Sequence, residues 1–534
     1  MKSSLRERIT SVIDRFGLLI VLLVAALPRI YLLLVCDYLI ADDGILYIWQ
    51  AEKISASGIS ALPYDLVNPF PFAVSLLHWL INSVFPVSFE TAALLITVSC
   101  GLALLYPLYK LVYQYFGPLP AFVSAIFIAL LPELTDISCS VLRDTPALCA
   151  VMWGFYLFLS AIRSPDAKNW RLGRLFFSGA LIFLGGMIRL EMFIFSGALG
   201  LTLLLAHVWP LTPYRPFKRF IACIAFGAVL IAGCLSGFLY LHASTGQWHL
   251  GPFERIFQQH GLAEIKTKVD PFAMDKDQLY EADGTVRPHV LVHYKFMSMA
   301  QDHRRVLYIF EVCYKIWKAF LPVGLVMFFA GLWFLARRRM LYPADPLILS
   351  CLFITAILIS VYYLYASTHF YVGTRHVLAI VIPLSVFIGI PVLYLPSMSR
   401  LVRLSAAVFA ILALFMLCFK TFQPLHKKKL PMKQCGIALR QYLPTNAILF
   451  TSASMKQVPY YAHVEYRMFV PQTSETLKER LTKSPNRFLL LNTHDDWQAA
   501  FTNFTHVISL SDLKLPVDKR YVFSLYTAAR EDSE

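Results

Sequence analysis

Eleven apolar runs, each long enough or nearly long enough to cross ~30 Å of hydrocarbon, dominate this chain of 534 residues. They are Leu18 to Val35, Ala92 to Tyr109, Leu119 to Leu134, Pro146 to Ile162, Leu175 to Ile188, Met192 to Trp209, Phe220 to Leu241, Trp317 to Ala336, Pro346 to Tyr365, Val377 to Leu395 and Leu404 to Phe419. A soluble core could not enclose so much apolar surface: 57% of residues are hydrophobic, 15% are charged and the mean hydropathy is +0.59. In lipid a segment must satisfy its own backbone, which a helix does. The sequence therefore predicts a polytopic α-helical membrane protein and excludes a cytosolic enzyme, a disordered chain and a secreted disulfide scaffold. A twelfth run, Asn68 to Phe85, is interrupted by Asn68, Pro69, Pro71, His78 and Asn82.

The formal charge of +15 would suit nucleic acid, but Lys and Arg fall in short clusters between apolar runs, where they orient the chain in the bilayer. No nucleic-acid partner is expected. Arg163, Lys168, Arg171 and Arg174; Arg215, Lys218 and Arg219; Arg337, Arg338 and Arg339; and Arg400 and Arg403 are separated pairwise by two spans, so all four clusters share the cytoplasmic side. Between Arg15 and Arg163 stand five candidate runs, an odd number, so one does not cross. Asn68 to Phe85 is the natural choice, as an interfacial or re-entrant helix on the outer face. The first run reads as a retained span with an inside N-terminus, because no small-x-small cleavage site follows it. Asp42-Asp43, Cys139 to Asp144, Arg189 to Glu191, the loop Ala243 to Ile316, and Ser367 to His376 then all emerge on the outer face. Lys427, Lys428 and Lys429 emerge there too, against the orienting rule, which long terminal domains often override. The ten cysteines lie mostly inside apolar runs, with no CxxC pair and no zinc-like spacing with histidine, so no metal site is assigned.

From about Thr421 the composition changes. Compact apolar runs at Ala447 to Phe450, Phe488 to Leu491, Val507 to Leu510 and Tyr521 to Leu525, separated by polar or helical stretches, predict a small α/β domain. The expected organisation is a transmembrane domain over 1–420, with outer loops 36–91 and 243–316, and a soluble extracytoplasmic domain over 421–534.

Four short segments carry candidate chemistry. Asp42 and Asp43 stand side by side just after the first span; mutual repulsion raises the pKa of one and makes it a candidate general base, while the bland alternative is a helix cap with a favourable dipole contact. Asp43, Tyr47 and Gln50 share a face if the segment is helical. Arg143-Asp144-Thr145-Pro146 opens a span, where charges are commonly only interfacial and Asp and Pro are good helix starters. Arg189-Leu190-Glu191 is a charged pair in a hairpin so short that it can hardly leave the membrane surface; it is a functional candidate or a mutually neutral pair. Arg375 and His376 precede the tenth span on the outer side, where an Arg fork suits a phosphate, of a substrate or of an anionic lipid. The long loop adds Arg255, His260, Lys266, Lys268, His293, Lys295, His303, Arg304 and Arg305.

Together these segments resemble the GT-C superfamily of membrane glycosyltransferases, in particular the bacterial family-39-like branch that includes protein O-mannosyltransferases and the aminoarabinose transferase of lipid A. The resemblance rests on Asp42-Asp43 followed by Tyr47 and Ala51, on Arg143-Asp144-Thr145-Pro146, on Arg189-Leu190-Glu191 and on Gly373-Thr374-Arg375-His376. The second acid is Asp43 where the family commonly has Glu, and His376 stands where an aromatic is commoner.

What the resemblance implies is transfer of a sugar from a polyprenyl-phosphate donor to an acceptor hydroxyl at the outer face, by inverting displacement. Asp42, helped by Asp43, would take the acceptor proton; Arg189 and Arg375, or a loop cation, would hold the departing phosphate; Tyr47, Arg143, Asp144, Glu191 and His376 would line the substrates. The acceptor is a lipid, a glycan or a protein, and membrane lipids surround the spans in an inner (plasma) membrane. Some relatives use a divalent cation between carboxylate and phosphate, which the sequence leaves open. The alternatives are a flippase or transporter of lipid-linked sugars and an O-antigen-polymerase-like enzyme.

Overall fold

The computed structural model describes residues 2–34, 40–58, 68–163, 168–208, a few residues between 226 and 235, 303–338, 345–369, 372–423, 430–451, 455–468, 486–492, 504–509 and 523–528. Among them, seven helices are long and apolar enough to cross a membrane, or eight if one sharply bent pair is a single span. Two shorter apolar helices, Leu172–Ile188 and Leu190–Leu205, accompany them. The run Phe220 to Leu241 lies mostly outside the described residues.

The first helix, α1 (Lys2–Leu34), illustrates how one stripe packs while the rest faces lipid. Val21, Ala25, Arg29 and Leu32 recur at helical spacing and are buried; Leu19, Leu23, Leu27, Ile30 and Leu34 are exposed. Arg29 is thus a fully buried cation inside an apolar run. Its guanidinium donates to Ala25 O at 2.7 Å and reaches Ala129 O and Ser138 Oγ, each at 3.4 Å.

After the outer helix α2 (Asp42–Ser57) comes α3 (Pro69–Asn82), which at 14 residues and a rise of 1.5 Å per residue spans about 21 Å, short of a bilayer core. Helices α4 (Phe89–Ala103) and α5 (Leu105–Phe116) are nearly continuous. The third apolar run does not form one straight helix, as its composition would allow. It breaks into α6 (Pro118–Ala129) and α7 (Pro132–Ser138), bent by 60°. Pro132 has no N–H and disfavours helical backbone at the residue before it. The carbonyls freed at the break are taken by distant side chains: Ala129 O by Arg29, and Leu130 O by the Thr421 hydroxyl at 2.6 Å.

The helices α8 (Asp144–Arg163) and α9 (Lys168–Ile188) pack closely, with Gly154 and Gly185 at their crossing, and a 3-10 turn at Leu190–Met192 leads into α10 (Phe193–Val208). The next long helix, α11 (Arg304–Arg338), begins inside the segment that the sequence assigned to the outer loop ending at Ile316. Its first turns carry Glu311 and Lys315, an i,i+4 pair at 3.1 Å, so the helix is polar where no apolar run marks it. Leu321 interrupts it at φ 58° and ψ 157°, immediately before Pro322. Then follow α12 (Pro346–His369), α13 (Thr374–Leu384), which continues through 3-10 turns to Ser397, and α14 (Arg400–Thr421). Leu401, Leu404, Val408, Ile411, Phe415 and Phe419 leave α14 largely facing outwards.

Beyond α14, helices α15 (Leu430–Leu439) and α16 (Gln457–Ala462) accompany a five-stranded sheet of order β2-β1-β3-β5-β4. The strands are β1 (Ile448–Thr451), β2 (Glu465–Met468), β3 (Arg487–Asn492), β4 (Phe504–Ser509) and β5 (Phe523–Ala528). Strand β1 pairs in parallel with β2 and β3, and β5 pairs antiparallel with β3 and β4. Met432, Cys435, Leu439, Leu449, Val458, Ala462, Leu490 and Leu525 form a core separate from that of the membrane helices.

Candidate active site

Helix α2 starts at Asp42, after Ala41 in extended conformation and without a side-chain cap. The Asp42 side chain lies outside the described residues; that of Asp43 is 49% exposed. Gly44 lets the first turn of α2 rest on the turn before α8, because a Cβ there would come within 2.6 Å of Val141 O. One turn on, Tyr47 is buried with its ring edge-on to Phe70, and the Arg143 guanidinium lies 5.6 Å from its centroid. Burial pushes the Tyr47 phenol up to about 12, so it stays protonated and able to donate a hydrogen bond, while its ring forms an aromatic wall.

Arg189 is the hub. It leaves α9 in extended conformation, and its side chain is enclosed, at 6% residue exposure. The guanidinium ion-pairs with Asp144 through Nη1 and with Glu191 through Nη2. Nη2 also lies 2.9 Å from His376 Nδ1. A guanidinium can only donate, so Nδ1 accepts and the ring proton of a neutral His376 resides on Nε2. Asp144 opens α8, where the N-terminal dipole favours a carboxylate. From the first turn of α13, Arg375 reaches Asp43 at 2.9 Å and approaches Asp144 at 4.0 Å, with its side chain 33% exposed.

Eight of the nine residues expected from sequence gather here: Asp43, Arg375, Asp144, Arg189, Glu191 and His376 are linked by the contacts above, and Tyr47 on α2 and Arg143 before α8 stand beside them. Among the described side chains, Arg143, Arg189 and Arg375 balance Asp43, Asp144 and Glu191 in formal charge. An anion arriving at Arg375 competes with Asp43 for its guanidinium. The loop cations from Arg255 to Lys295 lie outside the described residues. Among the described residues no group of three or more His, Cys, Asp or Glu could hold a metal ion, and each described carboxylate of the network faces a guanidinium. No step is therefore routed through a divalent cation.

Two supporting residues were not singled out from sequence. Asn68 caps α3 by accepting from Phe70 N at 2.9 Å, and its amide donates to Ile188 O at 3.0 Å, tying α3 to the Arg189 turn. The Asn-Pro pair is a readable helix-start signal. Tyr362 donates to His376 O at 2.6 Å and fixes the start of α13. It sits within an apolar run and leaves no local sign.

The opposite ends of the helices carry the basic residues. Tyr113 donates to Asp14 at 2.7 Å, Arg163 stacks over Tyr115 at 4.1 Å and Arg338 lies 5.8 Å from the Tyr394 ring. The charge-balanced network and the basic clusters thus occupy different ends of the helices.

Residues 70–236 match the sequence profile of the dolichyl-phosphate-mannose-protein mannosyltransferase family. No curated protein matches the sequence itself. Among solved structures, ArnT from Cupriavidus metallidurans bound to undecaprenyl phosphate superposes with a TM-score of 0.61 at 13% identity, covering 95% of this chain and 97% of that one. The apo oligosaccharyltransferase of Archaeoglobus fulgidus gives a TM-score of 0.51 at 12% identity, covering 97% of this chain and 75% of that one. The oligosaccharyltransferase AglB of the same organism, in complex with an inhibitory peptide and a dolichol-phosphate, gives 0.50 at 12% identity, with the same coverage. At such identities the likeness is one of fold.

Proposed function

We propose that this chain, which has the fold of the GT-C membrane glycosyltransferases, is itself a glycosyltransferase that takes a sugar from a polyprenyl-phosphate donor. The observation that carries the reading is the Asp43–Arg375 pair at 2.9 Å, an accessible acid and an accessible cation at the mouth of a buried ionic network. The fold relatives seen with undecaprenyl phosphate and with dolichol-phosphate support the choice of donor.

In this reading the acceptor hydroxyl oxygen attacks the anomeric carbon, the bond from that carbon to the phosphate oxygen breaks, and configuration inverts. The hydroxyl proton passes to Asp42, with Asp43 beside it. The leaving phosphate gathers charge as the bond breaks and is met by Arg375, whose fork is exposed. Arg189, committed to Asp144 and Glu191, lies one layer behind and holds His376 with Nε2–H as a donor. Tyr47 and Arg143 line the approach. Phosphate binding at Arg375 releases Asp43 from its ion pair, which couples arrival of the donor to availability of the acid.

The site belongs on the extracytoplasmic face of the plasma membrane, with residues 1–420 as the transmembrane domain and 421–534 as a soluble domain on the same side. The parity of the basic clusters supports this. A lipid-linked donor suits that face, because its tail remains in hydrocarbon while the sugar meets water.

Mass spectrometry of envelope glycans, glycolipids and glycoproteins with and without the gene tests the reading. A sugar-sized mass increment present only with the gene is expected. A lipid-linked sugar that changes sides of the membrane without any new covalent product would instead mean a flippase.

A further inference from the structure

The short helix α16 divides its residues between two cores. Val458 and Ala462, four apart, belong to the interior of the sheet-bearing unit, whereas Tyr460 and Tyr461 pack against the core of the membrane helices. Across that seam the backbone of Ile40 is held at both of its polar atoms. Its N–H donates to the Tyr461 hydroxyl at 3.1 Å, and its carbonyl accepts from the Gln457 amide at 3.5 Å. Ile40 directly precedes Ala41, the N-cap of α2, and is two residues from Asp42.

Helix α2 has no side-chain cap at Ala41, and among the described groups backbone bonds from Gly44 and Ile45 to Ala41 O close the first turn. Its direction is therefore set from outside. On one side stands Val141 against Gly44; on the other stands the α16 pair gripping Ile40. The seam has further ties, since Tyr460 donates to Glu90 on the first turn of α4 at 3.5 Å and Lys433 of α15 lies 5.5 Å from the Tyr461 ring.

We propose that Gln457 and Tyr461 are positioning residues for the transfer reaction: by clamping the backbone of Ile40 they fix the line along which α2 presents Asp42 and Asp43. The soluble unit is then a structural part of the active site. This inference rests on the glycosyltransferase reading above. A carboxylate that must meet a proton within hydrogen-bond distance loses rate steeply when its helix tilts, since a displacement of about 1 Å costs on the order of a hundred-fold.

The test uses the full chain in lipid nanodiscs and in a strain lacking the gene. Tyr461→Phe removes the hydroxyl and keeps the ring; Gln457→Leu removes the amide and keeps the volume. Three quantities are read for each: the rate at which the sugar mass increment appears per molecule of chain, the Kd for undecaprenyl phosphate, and amide exchange in the peptide covering residues 40–48. The expected result is a turnover lowered ten-fold or more, a Kd within two-fold of wild type and faster exchange in that peptide. Wild-type turnover in both variants overturns the proposal. So does a loss of turnover matched by loss of undecaprenyl phosphate binding, which would be general damage. If Tyr461→Phe does not fold, Gln457→Leu carries the same test. Full activity of Asp42→Asn would instead overturn the glycosyltransferase mechanism on which the clamp depends.

Discussion

Replacing Arg189 by Met keeps the length of the side chain and removes its charge, and the structure says what is left behind. Asp144, with its side chain only 4% exposed, and Glu191, at 20%, would both lose the cation they share. Breaking a buried pair by deleting one partner costs about 3–5 kcal/mol, because the remaining charge is stranded. The two carboxylates are unequally placed: Glu191 has some water and lies 3.6 Å from His376 Nδ1, which is free to carry a proton towards it once Arg189 no longer donates there, whereas among the described residues Asp144 keeps Arg375 at 4.0 Å and the dipole of α8. Asp144→Asn added to Arg189→Met should therefore recover more stability than Glu191→Gln added to the same background. Unfolding in mixed micelles of a mild detergent and dodecyl sulfate measures all three free energies. A single variant within about 1 kcal/mol of wild type, below what a stranded buried charge costs, would refute the assignment of Arg189 as counter-charge. Equal recovery by the two second-site changes would refute the ranking by burial.

Asp42→Asn should abolish transfer while the protein stays folded in membranes, with Asp43→Asn milder; a lost general base costs ~10² to 10⁴ in rate, read from the sugar mass increment. Arg375→Lys should weaken binding of undecaprenyl phosphate to the purified chain, since a point charge does not replace a bidentate fork, and unchanged affinity would move the phosphate site elsewhere. Gly44→Ala should displace α2 from Val141 and lower stability by about 1–3 kcal/mol together with turnover, checked by micelle unfolding and transfer assay. A reporter fused after Glu534 should be active only outside the cytoplasm; cytoplasmic activity would reverse the proposed orientation.

The apolar runs were readable because lipid demands length and composition of every crossing segment, and that demand is local. The acidic pair, the Arg189–Glu191 hairpin and Arg375 were readable for a related reason: a charge at a span end stands out against its neighbours. What joins them was not readable. Asp144 and Arg189 are 45 positions apart, and Arg375 meets Asp43 across 332; neither pairing leaves a trace in spacing. The break in the third run was missed because Pro132 lies near its end, where a proline also reads as a boundary. The early start of α11 was missed because the opening turns alternate charge and apolar surface, which a hydropathy window averages away. Tyr362 and Tyr461 were hidden for opposite reasons, one inside an apolar run and the other inside the sheet-bearing unit, whose docking face no periodicity announces.

The buried Arg29 imposes an order of events on synthesis. The α1 helix reaches the bilayer before α6 and α7, yet the groups outside α1 that receive its guanidinium among the described residues, Ala129 O and Ser138 Oγ, lie 100 and 109 positions later. An Arg at the centre of a span costs ~2.5–3.5 kcal/mol on insertion into the bilayer, an upper bound for Arg29, which lies five residues from the end of α1, and the leucine-rich remainder of the helix must carry that load. At about 5–20 residues per second the wait is roughly 5–20 s. During that interval the nascent chain holds a membrane-embedded cation with no tertiary partner, and anything that shields such a charge, an insertase or an anionic lipid, would be needed then and dispensable once α6 and α7 have arrived.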